Sequence, residues 1–173
     1  MSTPKLISPL LDNFMMGDPI SDKDGIRCCP AMHQQTQEKY LVKIISVPAS
    51  QTKLEALLLT GAYPDAASAS EYFKQQADDI AAEVQVLKEL AHSSGFEGFE
   101  ACQIVPMDDA TGYDVYLLYP YRKTLEKHCQ NEAITHLEAT NMALDICAAL
   151  ATCRNQGYIF LNVKPENIYL SAE

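Results

Sequence analysis

The chain has 173 residues, of which 47% are hydrophobic and 21% are charged, so it can form a globular domain with a buried core. Its formal net charge of −10 argues against nucleic acid as a general partner, because an acidic surface repels phosphate backbones. No stretch approaches the roughly 20 consecutive apolar residues that a membrane-spanning helix needs, so no membrane partner is expected.

Residues 1–24 include Pro4, Pro9 and Gly17 and are predicted to be a turn-rich, partly mobile N-terminal extension. A strand-like pattern follows from Gly25, and a short polar stretch then favours a turn. The next segment, Lys39–Val47, is rich in β-branched and aromatic residues and predicts a strand.

Three helices are predicted from one signature, a Thr or Ser followed three residues later by Glu. The hydroxyl can accept a hydrogen bond from the third helical N–H group, while the carboxylate reaches back to the capping residue. The predicted ends are near Gly61 for the first helix, near His92 for the second and before Gly157 for the third. The three pairs are Thr52 with Glu55, Ser68 with Glu71 and Thr135 with Glu138.

Two further strands are predicted at Ala101–Met107 and Tyr113–Tyr119, joined by a turn over 108–112. A last strand-like stretch covers Asn167–Leu170. The order of these elements indicates an α+β fold with an antiparallel sheet.

The six cysteines form no CxxC motif and no metal-ligand spacing, which favours a reducing, cytoplasmic compartment. His128 and Cys129 are adjacent and offer two metal ligands, but a partly exposed pair without metal is the commoner arrangement.

Two charged residues stand where the pattern expects apolar ones. Lys43 shares a strand face with Leu41, Ile45 and Val47. Glu83 lies on the helical stripe of Ile80, Leu87 and Leu90. Each could reach solvent from the edge of its element. A mutual ion pair is the alternative, since burying either charge alone is costly.

The segment Gly157–Leu170, GYIFLNVKPENIYL, resembles the catalytic loop of eukaryotic-like Ser/Thr protein kinases, whose usual form is GIIHRDLKPENILL. Further matches are the LVKII strand around Lys43, the EVQVL helix around Glu83 and the YDVYLLYPYR segment that ends at Arg122. Together they cover the chain from about Gly25 to its end.

This resemblance implies a small kinase lobe, with an antiparallel sheet and an αC-like helix, followed by the first helices of the large lobe. The implied segments are an extension at 1–24, a small lobe and hinge at 25–122 with an insertion at about 48–66, and the start of the large lobe at 123–173. The implied ligands are ATP and Mg²⁺. The resemblance places Lys43 at the nucleotide phosphates, with Glu83 orienting it, and Asn167 at the metal. Tyr119 takes the gatekeeper position, the adenine hinge is Pro120, Tyr121 and Arg122, and the transferred phosphoryl group meets Lys164.

The sequence also departs from the family. Asn162 occupies the position of the catalytic aspartate, and an amide cannot accept a substrate proton at neutral pH. The glycine-rich loop is reduced to Gly17 and Gly25 around a proline. The sequence ends at Glu173, before the metal-binding aspartate of the family. We therefore expect no phosphotransferase activity from this chain.

A pseudokinase that acts as a protein-interaction module is the main alternative. A small-molecule phosphotransferase of the aminoglycoside-kinase type fits less well, because KPEN is the protein-kinase form of the loop. The helix Thr135–Asn155 is apolar over most of its circumference. It is therefore predicted to contact a partner, most simply a second copy of this chain.

Overall fold

The computed structural model describes residues 10–91, 95, 96, 98–108 and 110–170. The chain forms two compact units, and among the described residues the first comprises those up to 85 together with 99–120. The second unit comprises 86–98 and the residues from 121 onward. The assignment of these segments to kinase lobes and a hinge stays a prediction.

The first unit contains a six-stranded antiparallel sheet, and two longer helices follow its fourth strand in the chain. A four-residue helix, α1, precedes the sheet. The elements of this unit are α1 (Leu10–Asn13), β1 (Phe14–Met16), β2 (Ser21–Lys23), β3 (Ile26–His33), β4 (Lys39–Val47), α2 (Gln51–Leu59), α3 (Ala66–Leu90), β5 (Ala101–Pro106) and β6 (Tyr113–Pro120). The last residues of α3, from 86 onward, are assigned to the second unit.

The strand order is β1-β3-β4-β6-β5, and β2 pairs with β3 beside β1. Met16 is opposite Ala31 and Ser21 is opposite Cys28, so β1 and β2 follow the same edge of β3 with a short interruption between them. The part of the predicted extension that the structure describes therefore contains regular secondary structure and not turns alone. Its residues form a helical turn and two paired strands.

Alternation along β4 separates two cores. Tyr40, Val42 and Ile44 lie in one core with residues of β1, β3 and β6. On the opposite face, Ile45 packs with Leu117 and with Ala77 and Val84 of α3. Burial of a side chain such as Ile44 contributes about 1.5–3 kcal/mol relative to leaving it in water.

The first two predicted helices form, but their first residues differ from the prediction. Helix α2 is capped by Ser50, whose side chain accepts a hydrogen bond from Lys53 N–H, and not by Thr52. In α3 the Asp65 carboxylate accepts a hydrogen bond from Ser68 N–H at 2.8 Å, which lowers the pKa of Asp65. An upstream residue thus takes the capping role in both helices. The predicted end of α3 at His92 lies outside the described residues.

Helix α2 packs onto α3 through a third core. Leu54 of α2 is buried together with Val47, Ala69 and Phe73, and Tyr63 contacts the rings of Tyr72 and Phe73. The segment that the kinase resemblance treats as an insertion is therefore part of the packed first unit.

The second unit contains α4 (Leu125–Asn131), α5 (His136–Asn155) and a 3₁₀ turn (Pro165–Asn167). The predicted capping box of α5 is confirmed, because Thr135 and Glu138 each bond the backbone of the other. The predicted strand at 167–170 is reduced to one bridge between Tyr169 and Thr124. Pro165 begins the 3₁₀ turn, which occupies the start of that predicted strand.

Within the described ranges, no helix is both long and apolar enough to cross a membrane. None of the six cysteines forms a disulfide bond.

Candidate functional site

Lys43 lies in the middle of β4, opposite Cys28 on one side and Leu117 on the other. Its side chain shares the face of Ile45 and Val47, the face of the sheet that packs against α3. The residue is half-buried. The sheet therefore presents a lysine on an otherwise apolar inner face, as the alternation predicted.

Glu83 does not occupy the centre of the buried face of α3, contrary to the prediction from its stripe. The buried positions run through Ala69, Phe73, Ala77 and Val84, and Glu83 is exposed beside them. Of the predicted stripe, Ile80 packs against two cores and Leu90 is buried, whereas Leu87 is exposed as Glu83 is.

No ion pair joins Lys43 and Glu83 in the part of the chain that the structure describes. Glu83 instead lines a depression of about 460 Å³ with Gln76, Asp79, Ile80 and Val47. Two carboxylates and an amide make this depression acidic, so the geometry leaves Lys43 without the predicted orienting partner.

The predicted gatekeeper and the three predicted hinge residues are divided between the units. Tyr119 packs in the core beneath α3, with its ring centroid 6.2 Å from that of Phe99, and Pro120 ends β6. Tyr121 and Arg122 belong to the second unit, where the Tyr121 ring lies 6.0 Å from Lys127 Nζ. Arg122 Nη1 donates to the carbonyl of Tyr121 at 3.3 Å.

The predicted catalytic-loop residues lie together in one turn of the second unit. Asn167 Nδ2 donates to the carbonyl oxygen of Asn162 at 3.1 Å, and Asn167 N–H donates to the carbonyl of Lys164 at 2.9 Å. Asn162 and Lys164 are exposed, and Asn167 is half-buried. The Asn167 side chain thus closes the loop that carries the other two residues.

By themselves, Asn162 and Asn167 are a weak donor set for Mg²⁺, and the loop's carboxylate is that of the exposed Glu166. Magnesium is usually held by one or two carboxylates together with water and phosphate, whereas Asn162 and Asn167 offer only neutral amide oxygens. Within the described residues, no group of three or more His, Cys, Asp or Glu side chains could hold a metal ion. His128 faces Glu132 at 3.6 Å, and Cys129 is exposed.

A polar network that the sequence prediction missed joins three strands at one end of the sheet. Arg27 Nη2 lies 2.9 Å from Asp114 Oδ2, and Ser46 Oγ donates to Asp114 Oδ1 at 2.6 Å. The exposed fractions of the Arg27 and Asp114 side chains are 21% and 13%. Asp114 falls on the buried face of β6 with Tyr116, so the alternation that identified Lys43 would also have identified Asp114.

Comparison with known proteins reveals similarity at the level of fold. No family model matches the sequence, and the search of curated proteins found no match either. Among solved structures, a crystal structure of Rad53 residues 1–466 in complex with AMP-PNP matches with a TM-score of 0.61 and 14% identity. The match covers 93% of this chain and 35% of the Rad53 chain. Because Rad53 is a kinase, the chain has a kinase-like fold, with a curled antiparallel sheet and helices.

Proposed function

We propose that this chain binds an adenine-bearing nucleotide or nucleoside through its kinase-like fold and does not transfer a phosphoryl group. The observation that carries the proposal is the position of Lys43, half-buried on the inner face of the sheet, in a fold that matches a structure holding AMP-PNP. The ammonium group of a half-buried lysine can pair with an anionic group of a ligand that lies on this face.

The proposal that the chain transfers no phosphoryl group is supported by two features of the described residues. Phosphoryl transfer needs a positioned base or water-orienting group and a fixed array of charges around the phosphates. Asn162 supplies an amide where the related loops supply a carboxylate, and an amide is a poor proton acceptor. Glu83 does not fix Lys43. Lys164 could still neutralise the charge of a transferred phosphoryl group. Asn162, however, cannot take the proton of the attacking hydroxyl group.

Isothermal titration calorimetry with ATP, with and without Mg²⁺, tests binding. Lys43→Met keeps most of the aliphatic stem but removes the charge, so the Kd for ATP should rise about tenfold, as for the loss of one charge-assisted hydrogen bond. Lys53→Met on the exposed surface of α2 is the matched control and should leave the Kd unchanged. Equal affinities of the wild type and Lys43→Met would refute the assignment of Lys43.

A radiolabel assay with a generic protein substrate tests transfer. We expect no incorporation above the no-enzyme background. Incorporation that disappears in Lys43→Met would overturn the non-catalytic proposal.

A second candidate function, protein interaction through α5, is favoured by the exposure of that helix. Leu137 and Leu144 are 69% and 63% exposed. They belong to an exposed row at alternating spacings of four and three residues, the spacing of a helix–helix seam. The row contains Leu137, Asn141, Leu144, Ala148, Ala151 and Asn155.

The simplest occupant of this row is a second copy of the chain, because an antiparallel two-fold pairing would let Leu137 and Leu144 of one copy face Ala148 and Ala151 of the other. Light scattering after size-exclusion chromatography should give a mass near twice 19.2 kDa at micromolar concentration. Leu144→Glu should return the monomer, and Glu126→Gln on α4 should not. A wild type that stays at 19.2 kDa at every concentration would contradict self-association.

A further inference from the structure

The inner face of the sheet is covered by α3 over β6 and is open over β3. On β6, Leu117 is 1% exposed and packs in the core beneath α3. On β3, Ile26 and Pro30 are exposed, and Cys28, which lies between them on the same face, is half-buried. Lys43 on β4 lies between these two regions. A ligand on this face therefore has access to the Lys43 ammonium group from the β3 side.

Cys28 is directly opposite Lys43 in the pairing of β3 with β4. Directly opposite residues of antiparallel strands have their side chains on one face of the sheet, with Cβ atoms about 5 Å apart. The lysine side chain is long enough to cross that distance, so its ammonium group can approach the Cys28 sulfur. The register therefore places a nucleophile beside the cation of the proposed ligand site.

The neighbouring Cys29 does not share this environment. Its side chain lies on the opposite face of β3, where it has no exposed surface. Burial raises the pKa of the Cys29 thiol, which keeps the thiol protonated and unreactive. Neither cysteine forms a disulfide bond. Cys28 is therefore the accessible thiol of the two.

We propose that Cys28 is a thiol switch for the ligand site on this face, an inference that rests on the proposed function. Its partner is a small disulfide that carries carboxylates, and oxidised glutathione is the probe. The Cys28 thiolate attacks one sulfur of this disulfide and forms a new S–S bond, while the S–S bond of the reagent breaks. One glutathione thiolate leaves with the electron pair, and the proton of the Cys28 thiol goes to solvent.

The attached tripeptide blocks the site in two ways. One of its carboxylates pairs with the ammonium group of Lys43, the charge that the proposed function assigns to the ligand. Its bulk occupies the open region over β3, beside Cys28. Thiol–disulfide exchange is reversible, so a reducing agent removes the tripeptide and restores the site.

The rate of modification tests the pairing with Lys43. Peptide mapping by mass spectrometry measures the reaction at each cysteine, and cystamine, a cationic disulfide, is the matched reagent. Lys43→Met should slow the reaction of Cys28 with oxidised glutathione about threefold relative to its reaction with cystamine, because one favourable charge near the reagent is removed. Cys129 and Cys147 are exposed thiols of the second unit and should show no such change. An unchanged ratio of the two rates at Cys28 would overturn the pairing.

Calorimetric titration of the full chain with ATP tests the switch. Complete modification of Cys28 should raise the Kd for ATP about tenfold or more, and reduction with dithiothreitol should restore it. Cys28→Ser keeps the other thiols, so its Kd should be the same before and after treatment with oxidised glutathione. An unchanged Kd after modification of the wild type overturns the inference and leaves the proposed function standing. A chain that binds neither ATP nor adenosine before treatment overturns the proposed function and the inference together.

Discussion

In the first unit, Cys29, Val42, Ile44 and Val115 have no exposed surface, whereas the 20-residue helix α5 of the second unit buries only Ala149 and Cys153. The difference follows from the elements themselves. A sheet with alternating apolar residues buries both faces once a helix covers one of them and the sheet curls around the other. A helix that is apolar nearly all round needs neighbours on several sides. The first unit is thus supported by its own core, and the second depends more on local backbone structure.

Truncation of core and helix-surface side chains should give the largest difference between the units. Ile44→Ala should lower the free energy of unfolding by about 3 kcal/mol, because it removes a fully buried branched side chain and leaves a cavity. Leu144→Ala should change it by less than about 0.5 kcal/mol, because Leu144 is largely exposed. Urea unfolding followed by circular dichroism measures both. A Leu144→Ala cost as large as that of Ile44→Ala would show that α5 is packed in solution.

Removal of the partly buried carboxylate in the first unit should have the next largest effect. Asp114→Ala leaves Arg27 and Ser46 without their shared acceptor and should cost about 1–3 kcal/mol. The matched control is Asp78→Ala, which breaks an exposed pair with Lys74 on α3 and should cost at most about 0.5 kcal/mol. Equal costs in the two variants would mean that the network contributes no more than a surface pair does.

Loss of the α5 cap should have a smaller effect that is confined to the second unit. Thr135→Ala removes the side-chain acceptor of Glu138 N–H and should cost the helix about 1 kcal/mol. Hydrogen exchange of the first-turn amides should accelerate, while exchange in β4 and β6 stays unchanged. Thr140→Ala, within the same helix, is the control. Faster hydrogen exchange in both units would contradict the expectation that the cap stabilises only the second unit.

The last prediction concerns the contribution of Tyr116 to stability. This contribution has the smallest effect at neutral pH, and its effect grows at alkaline pH. Burial, and then the nearby Asp114 carboxylate, raises the pKa of Tyr116 from 10.0 to about 12. Because the folded-state pKa is the higher one, the stabilisation is complete below pH 10 and is lost as the pH rises through 12. Unfolding midpoints of the wild type should therefore fall between pH 10 and 12, and those of Tyr116→Phe should fall less. Parallel pH profiles for the two proteins would contradict this shift.

Much of the fold could be predicted from local patterns. The run of β-branched and aromatic residues identified β4, whose two faces both pack in cores, and the Thr135–Glu138 box fixed the start of α5 because its geometry is local. The starts of α2 and α3 were displaced because Ser50 and Asp65 compete with the predicted caps. The strands β1 and β2 were missed because their pairing with β3 is a tertiary contact, and three-residue strands carry little periodicity.

The site was predicted less completely than the fold. Lys43 lies on the predicted face because a strand has only two faces and its neighbours fix which is buried. Glu83 was misplaced because a helix has many candidate stripes, and only packing against the sheet selects the one through Phe73, Ala77 and Val84. The closure of the loop by Asn167 depends on a side-chain bond to Asn162 that no spacing rule specifies.

The central claim is that Lys43 marks a site for an adenine-bearing ligand on the inner face of the first unit. Backbone amide chemical shifts, recorded by NMR during titration with adenosine, test it most directly. We expect saturable shifts centred on Cys28, Lys43 and Leu117, which are neighbours in the sheet register, with α5 unaffected. Shifts that are absent, or that fall on α5 and leave β3, β4 and β6 unchanged, would contradict the account.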